Sequence, residues 1–307
     1  MEGLFSSNNF GDIPVKSPHC PIFSPIKNRK KMSLSSRLSN GWEMGMTSLR
    51  MIQDHPKLLL YPVFSGLSLV MVLATFFGGV ATTIGLDFEG WAQDAGIAQY
   101  LLVFGYYLLN YFVIVFFNVG LVYSAKRIFE GHEVTLTEGL NFSYSRIGAI
   151  LQWAILAATV GVILRNLQER LGIIGEIIIG IIGVVWSVAT YFVVPVIAFE
   201  NLPPIEAVKR SGAIIRQKWG ESVAANISFG MFSLLGYVVI IATGFLLGYA
   251  IHPIAGIAVG LLAILLLAIT ISAAKTVFLA ATYQHINNEP HGDFNGETLD
   301  SMFMPKR

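Results

Sequence analysis

From residue 58 onward the chain alternates long apolar runs with short polar connections, and the length of the runs is their informative property. Six stand out: 58–84, 100–123, 147–164, 171–199, 223–250 and 254–274. At 1.5 Å rise per residue each can cross a hydrocarbon layer roughly 30 Å thick, the longer ones by tilting. None alternates polar and apolar positions at period two, as a membrane-spanning strand would. In lipid a segment must satisfy its own backbone N–H and C=O groups, so the runs are predicted as α-helices. The stretch RNLQER at 165–170 separates the third run from the fourth, and His252 and Pro253 separate the fifth from the sixth. Connections this short predict antiparallel neighbours, hence hairpins.

Ahead of each pair of runs lies a shorter amphipathic segment with the spacing Glu-x4-Ser: Glu43 to Ser48, Glu138 to Ser143 and Glu206 to Ser211. Arg50, Arg146 and Arg216 follow them. In the first segment Trp42, Leu49 and Ile52 share a helical face. The second opens on Thr135-x-x-Glu138, a capping-box pattern. The third opens on Pro203-Pro204, suited to a helix start, where a missing amide hydrogen costs nothing. Its apolar stripe is Ile205, Val208, Ile215 and Trp219, with Glu206, Lys209, Arg210 and Arg216 away from it. An apolar stripe beside a basic face, next to a span, predicts a helix lying in the membrane interface. The predicted fold is therefore all-α and polytopic: six transmembrane helices as three hairpins, each preceded by an amphipathic interfacial helix. The membrane domain covers 36–286, between a disordered N-terminal extension (1–35) and a polar C-terminal tail (287–307).

Composition agrees with the pattern. Only 13% of the 307 residues are charged, 54% are hydrophobic and the mean hydropathy is +0.64; a soluble domain carries roughly 25% charged residues to coat its surface. The net charge of +1 excludes a nucleic-acid binder, which needs a basic face to displace counterions. Charge also orients the spans: eighteen of the 20 Lys and Arg fall on the side of the termini, leaving Arg165 and Arg170 opposite. The first loop on that opposite side (85–99) is acidic, with Asp87, Glu89 and Asp94. By the positive-inside rule both termini are cytoplasmic, as expected of a multi-pass protein of the plasma (inner) membrane. The extension has no apolar stretch of the signal-peptide kind. Met32, after the basic run Arg29-Lys30-Lys31, is an alternative start that leaves every span intact and the orientation unchanged. Cys20 is the lone cysteine, so no intrachain disulfide forms.

Candidate chemistry is sparse. No nucleotide-binding, zinc-protease or nucleophile-elbow motif occurs, and no catalytic residue, metal or cofactor is expected. Glu176, about one turn inside the fourth span, and Asn226, in the fifth, are the intramembrane polar residues to watch. Glu176 is expected to anchor at the interface, within reach of Arg170, and Lys275 to extend its amine to lipid phosphates. Asn110, Asn118, Gln152 and Asn226 are expected to hydrogen-bond between helices. Gly244-x3-Gly248 and Gly256-x3-Gly260 permit close helix approach in the last hairpin, and the same spacing offers a protein partner or a homo-oligomer. Pro195 removes a backbone donor and is predicted to kink the fourth span. His285, Glu289 and His291 sit in a polar tail and are expected to be solvated rather than to hold a metal. The sequons at Asn141 and Asn226 fall inside and in the bilayer, away from glycosylation.

One stretch carries a resemblance: Trp186-Ser187, Phe192 to Pro195, Phe199-Glu200, Pro204 to Ala207, Lys209-Arg210-Ser211 and Trp219-Gly220. With an opening block of Gly41-Trp42, Ser48, Pro56, Leu58 and Pro62, it resembles the family of uncharacterised six-helix prokaryotic membrane proteins DUF6159, over about residues 35–285. The resemblance implies the same six-helix membrane architecture and no activity. It makes Trp42, Ser48, Trp186, Pro195, Glu200, Glu206, Arg210, Ser211, Trp219 and Gly220 the candidate motif and interface positions. The Pro, Glu, Ala, Arg-Ser pattern after a span is also similar to membrane domains attached to some bacterial glycerophosphodiester phosphodiesterases. The functional expectation is a non-enzymatic membrane module for envelope organisation, protein interaction or contact with anionic inner-leaflet lipid. The alternative is a small transporter or channel built from the hairpins.

Overall fold

The computed structural model describes residues 34–84, 96–218, 222–294 and 296. The extension before Leu34, the loop 85–95, Trp219, Gly220 and the last residues of the tail lie outside them. Among the described residues are nine α-helices: α1 (Leu34–Asp54), α2 (Leu60–Ile84), α3 (Gly96–Phe129), α4 (Leu136–Ser145), α5 (Ile147–Ala189), α6 (Val193–Glu200), α7 (Pro204–Lys218), α8 (Ser222–Ala250) and α9 (Pro253–Ile286). Six stretches are long and apolar enough to cross a membrane. They coincide with the six runs of the sequence, and the protein is a polytopic all-α membrane protein.

Several helix boundaries have legible causes. Thr135 caps α4 through the Glu138 amide, and the Glu138 carboxylate answers on the Thr135 N–H, completing the capping box. Helix α7 begins at Pro204 and α9 at Pro253, where φ is already suited and no donor is lost. The turns after α3 and α6 pass through Gly131 (φ 79°) and Asn201 (φ 50°), residue types that tolerate the left-handed region.

Helix α5 covers both the third and fourth runs, yet it is a hairpin. In a straight helix Trp153 and Trp186 would stand about 50 Å apart. Their rings instead stack with centroids 5.9 Å apart and planes 3° from parallel. The Arg146 Nε also donates to the Ala198 carbonyl at 3.1 Å, so the two ends meet. The chain doubles back between the apolar arms Ile147–Gln168 and Gly175–Glu200, with RNLQER between the tryptophans. In the other two hairpins α2 meets α3 through Phe76 and Tyr106, 5.1 Å apart, and α8 packs along α9.

The three amphipathic helices pack in cyclic order. Helix α4, which precedes hairpin two, lies on α3 of hairpin one; α7, which precedes hairpin three, lies on α5 and α6 of hairpin two; and α1, which precedes hairpin one, lies on α8 and α9 of hairpin three. Each helix thus covers the hairpin before its own, and the ring closes. These contacts gather at the end where α1, α4 and α7 lie, and the packed core is there too. Val119 and Val122 of α3, Phe192 and Ile197 at the α5–α6 end, and Ala274 and Val277 of α9 are fully or nearly fully buried. Towards the opposite end the arms expose apolar side chains such as Ile97, Phe245 and Ile254. In a membrane lipid covers such surface, so no interhelical core is needed there.

The buried stripe of α7 runs through Ala207, Ser211, Ile214 and Ile215, while Ile205 is 62% exposed. Ala207 and Ser211, both small, let the first turns of the helix approach the hairpin closely. The two glycine pairs make the close approach expected within the third hairpin: a Cβ on Gly256 would strike the backbone of Gly244 and Gly248. That surface is taken by the chain's own partner helix.

Candidate functional site

The spacing Glu-x4-Ser acquires a physical meaning in the fold. At 100° per residue, positions five apart lie about 140° apart around a helix, so one faces out when the other faces in. Glu43, Glu138 and Glu206 are exposed, whereas Ser48, Ser143 and Ser211 are wholly buried. The residue after each glutamate is buried as well: Met44, Gly139 and Ala207.

In two of the three units the serine fastens its helix to the backbone of the preceding hairpin. Ser143 Oγ donates to the Phe116 carbonyl of α3 at 2.7 Å. A Cβ on Gly120 would lie 2.9 Å from Ser143 Oγ and 2.8 Å from the Tyr61 ring, which is why the contact needs glycine. Tyr61 OH and Ser124 Oγ, 2.6 Å apart, join α2 to α3 beside it. Ser211 Oγ accepts the Phe192 N–H at 2.9 Å. Phe192 lies at the break between α5 and α6, over residues 190–192. Pro195 explains the break: its ring would clash with the carbonyl four residues earlier, so the kink falls just upstream of the proline. Ser211 then satisfies the amide the break releases. Ser48 Oγ donates within its own helix, to the Met44 carbonyl at 2.9 Å.

Beneath the core, the ends of the three second arms meet in a polar network. Arg210 of α7 donates from Nε to both Glu200 oxygens, at 2.9 and 3.1 Å, and Tyr283 of α9 donates to Glu200 Oε1 at 2.6 Å. The hydrogen bond to Glu200 raises the Arg210 pKa further above its ordinary value, so this guanidinium is a permanent cation. Lys126 of α3 pairs with Glu289 beyond α9 and lies 5.0 Å over the Phe199 ring. Arg127 donates to Glu130 at 3.2 Å. The sequence reading singled out Glu200 and Arg210 but missed Lys126, Glu130, Tyr283 and Glu289 as their company. A signal was present: the second arms end on Phe129-Glu130, Phe199-Glu200 and Tyr283-Gln284, an aromatic followed by Glu or its amide each time.

The remaining candidates scatter. Trp42 is 46% exposed and Trp186 is stacked within hairpin two. Glu176 is exposed on the second arm of α5, and Lys275 is exposed on α9. Trp219, Gly220 and the Asn226 side chain lie outside the described residues. Asn110 donates to the Tyr106 carbonyl of its own helix at 2.7 Å rather than across helices. The His285 and His291 rings are 5.0 Å apart, and among the described residues no three His, Cys, Asp or Glu side chains gather. Cavities open near this end among the described residues. One, of about 190 Å³, has Tyr61 and Ser124 in its lining beside Lys57 and Glu133. Another, of about 520 Å³, is a groove between the first arm of α5 and the start of α7. Neither reaches Glu176.

Neither a curated protein nor a solved structure matches the chain, so the similarity to phosphodiesterase-linked membrane domains gains no support. Residues 97–293, more than half of the chain, match the family of unknown function DUF6159. The range takes in the second arm of the first hairpin, the other two hairpins and the interfacial helices α4 and α7; the opening block at 41–62 falls outside it. By this match the chain belongs to DUF6159.

Proposed function

We propose that the protein is a non-enzymatic multi-pass module of the plasma (inner) membrane, with both termini cytoplasmic, that organises the envelope through contact with anionic inner-leaflet lipid. The observation that carries this reading is the collar of α1, α4 and α7. Its inward faces are committed to the hairpins, while Arg50 and Arg216 stay exposed on it, as does Lys57 just after α1, 3.9 Å from Glu133. Exposed cations close to an anionic leaflet contribute about 1 kcal/mol each. The polar cluster of Arg210, Glu200 and Tyr283 at this end is engaged in structural pairs, which favours scaffolding over catalysis. The full-length protein extracted with its lipids is expected to carry an anionic-lipid excess that falls in the Arg50→Gln, Lys57→Gln, Arg216→Gln variant. An unchanged lipid profile would remove this reading.

The second reading is a small transporter, favoured by the broken arm at 190–192, since interrupted helices mark substrate sites in several transporter folds. The Phe192 amide is buried and already held by Ser211, which speaks for a structural break. Flux of any solute or ion through proteoliposomes above protein-free controls would reverse the order of the two readings.

A further inference from the structure

The groove between the first arm of α5 and the start of α7 combines features that the collar's general basic character does not explain. Its volume of about 520 Å³ falls within the range of small-molecule sites, roughly 300–1,000 Å³. One wall is Ile155 and Leu156, on a span; the other is Ile205. Ile155 is 43% and Ile205 62% exposed, so the groove opens sideways, towards the bilayer. At its rim stand one acid and one base, Glu206 and Lys209, both exposed. Among the described residues neither is bonded, whereas neighbouring charges at this end are paired, Arg210 with Glu200 and Lys126 with Glu289.

We propose that this groove seats one phospholipid whose headgroup carries a primary ammonium, a phosphatidylethanolamine. The ammonium lies on Glu206, the phosphate on Lys209, and an acyl chain follows Ile155 and Leu156. The first turn of α7 assists the phosphate, because the Ile205 and Glu206 N–H groups have no acceptor within the helix and its positive end points there. Pro203 and Pro204 contribute no N–H, which leaves the site shallow and open to a large ligand. Gln152, exposed on the α5 wall, adds an amide to the lining. The paired signs select the headgroup. A phosphatidylglycerol would offer Glu206 only neutral hydroxyls, with no cation to balance the carboxylate. A phosphatidylcholine has a quaternary ammonium with no hydrogen to donate. Thr159 adds no selectivity, since its hydroxyl is spent on the Ile155 carbonyl at 2.8 Å.

This goes beyond the anionic-lipid reading and does not depend on it, since Arg50, Lys57 and Arg216 lie outside the groove. The test is native mass spectrometry of the delipidated full-length protein titrated with phosphatidylethanolamine, phosphatidylglycerol or phosphatidylcholine. One tightly held phosphatidylethanolamine is expected, preferred about tenfold over the other two. Glu206→Gln is expected to abolish the preference over phosphatidylglycerol, and Lys209→Met to weaken all three lipids. Ile155→Trp, at an exposed position, is expected to fill the groove and remove the single-lipid species. Equal retention of the three lipids by the wild type would overturn the proposal. So would a preference that survives Glu206→Gln, and that variant decides the matter if Ile155→Trp fails to fold.

Discussion

Ser211 is the residue on which two sequence features converge. Pro195 breaks the arm, the break releases the Phe192 amide into a buried site, and the serine of the third Glu-x4-Ser accepts it at 2.9 Å. Ser211→Ala leaves that amide without a partner, which costs about 1–3 kcal/mol. The variant should lower the melting temperature in detergent, while Ser145→Ala, at an exposed position, should leave it within error. Tyr283→Phe removes a hydrogen bond to the charged Glu200, from a tyrosine only 3% exposed. A loss of about 1.5–3 kcal/mol is expected from unfolding in denaturant. The spacing of the serines and the position of the kink were both legible in the sequence. That one repairs the other was not, because only the packing of α7 back against the arm brings Ser211 to the break. Glu200 and Arg210 were visible as motif positions for the same reason that Tyr283 was not: they sit in one local stretch.

At the scale of the element, helix identity followed from apolar length, and helix starts from Thr135, Pro204 and Pro253. Which face each amphipathic helix buries did not follow as simply. Hydrophobicity pointed to Ile205 and Trp42, both of which stay exposed, while small residues such as Gly139 and Ala207 occupy the contacts. Next to a membrane both faces of such a helix meet apolar surroundings, so close approach, rather than greasiness, selects the packed one. The third hairpin shows the same principle. Gly256→Ala would press a methyl group into the backbone of Gly244 and Gly248, costing about 1–3 kcal/mol. Gly66→Ala, whose added Cβ meets nothing within 4 Å, should be neutral or stabilise by up to about 1 kcal/mol. Thermal unfolding of the two variants in one detergent should therefore shift in different directions, or in one direction only for Gly256.

For the whole molecule the closing contact is α1 on the third hairpin. It spans the length of the chain, and it buries Met44, Ser48 and Ile52 against α8 and α9. Deleting 34–54 would uncover those surfaces at the packed end. The expected outcome is loss of the monodisperse protein in mild detergent, recovered when the α1 segment is supplied as a separate peptide. Orientation has its own measurement. Single cysteines at Lys57, Lys209 and Lys275, in a Cys20→Ser background, should react with an impermeant maleimide only from the cytoplasmic side. One at Glu176 should react only from outside.

By themselves the residues determined a membrane protein of six helical spans, paired by short connections, because hydrocarbon admits only helices or closed barrels and these runs lack the alternation of barrel strands. They also determined three amphipathic collars in matching register, since helical periodicity is a local property. Only the tertiary structure decided that each collar covers the hairpin before its own. It alone brought Glu200, Arg210 and Tyr283 to one point. Those outcomes depend on how closely backbones approach across long sequence separations, and hydropathy, read along one chain, carries no record of that distance.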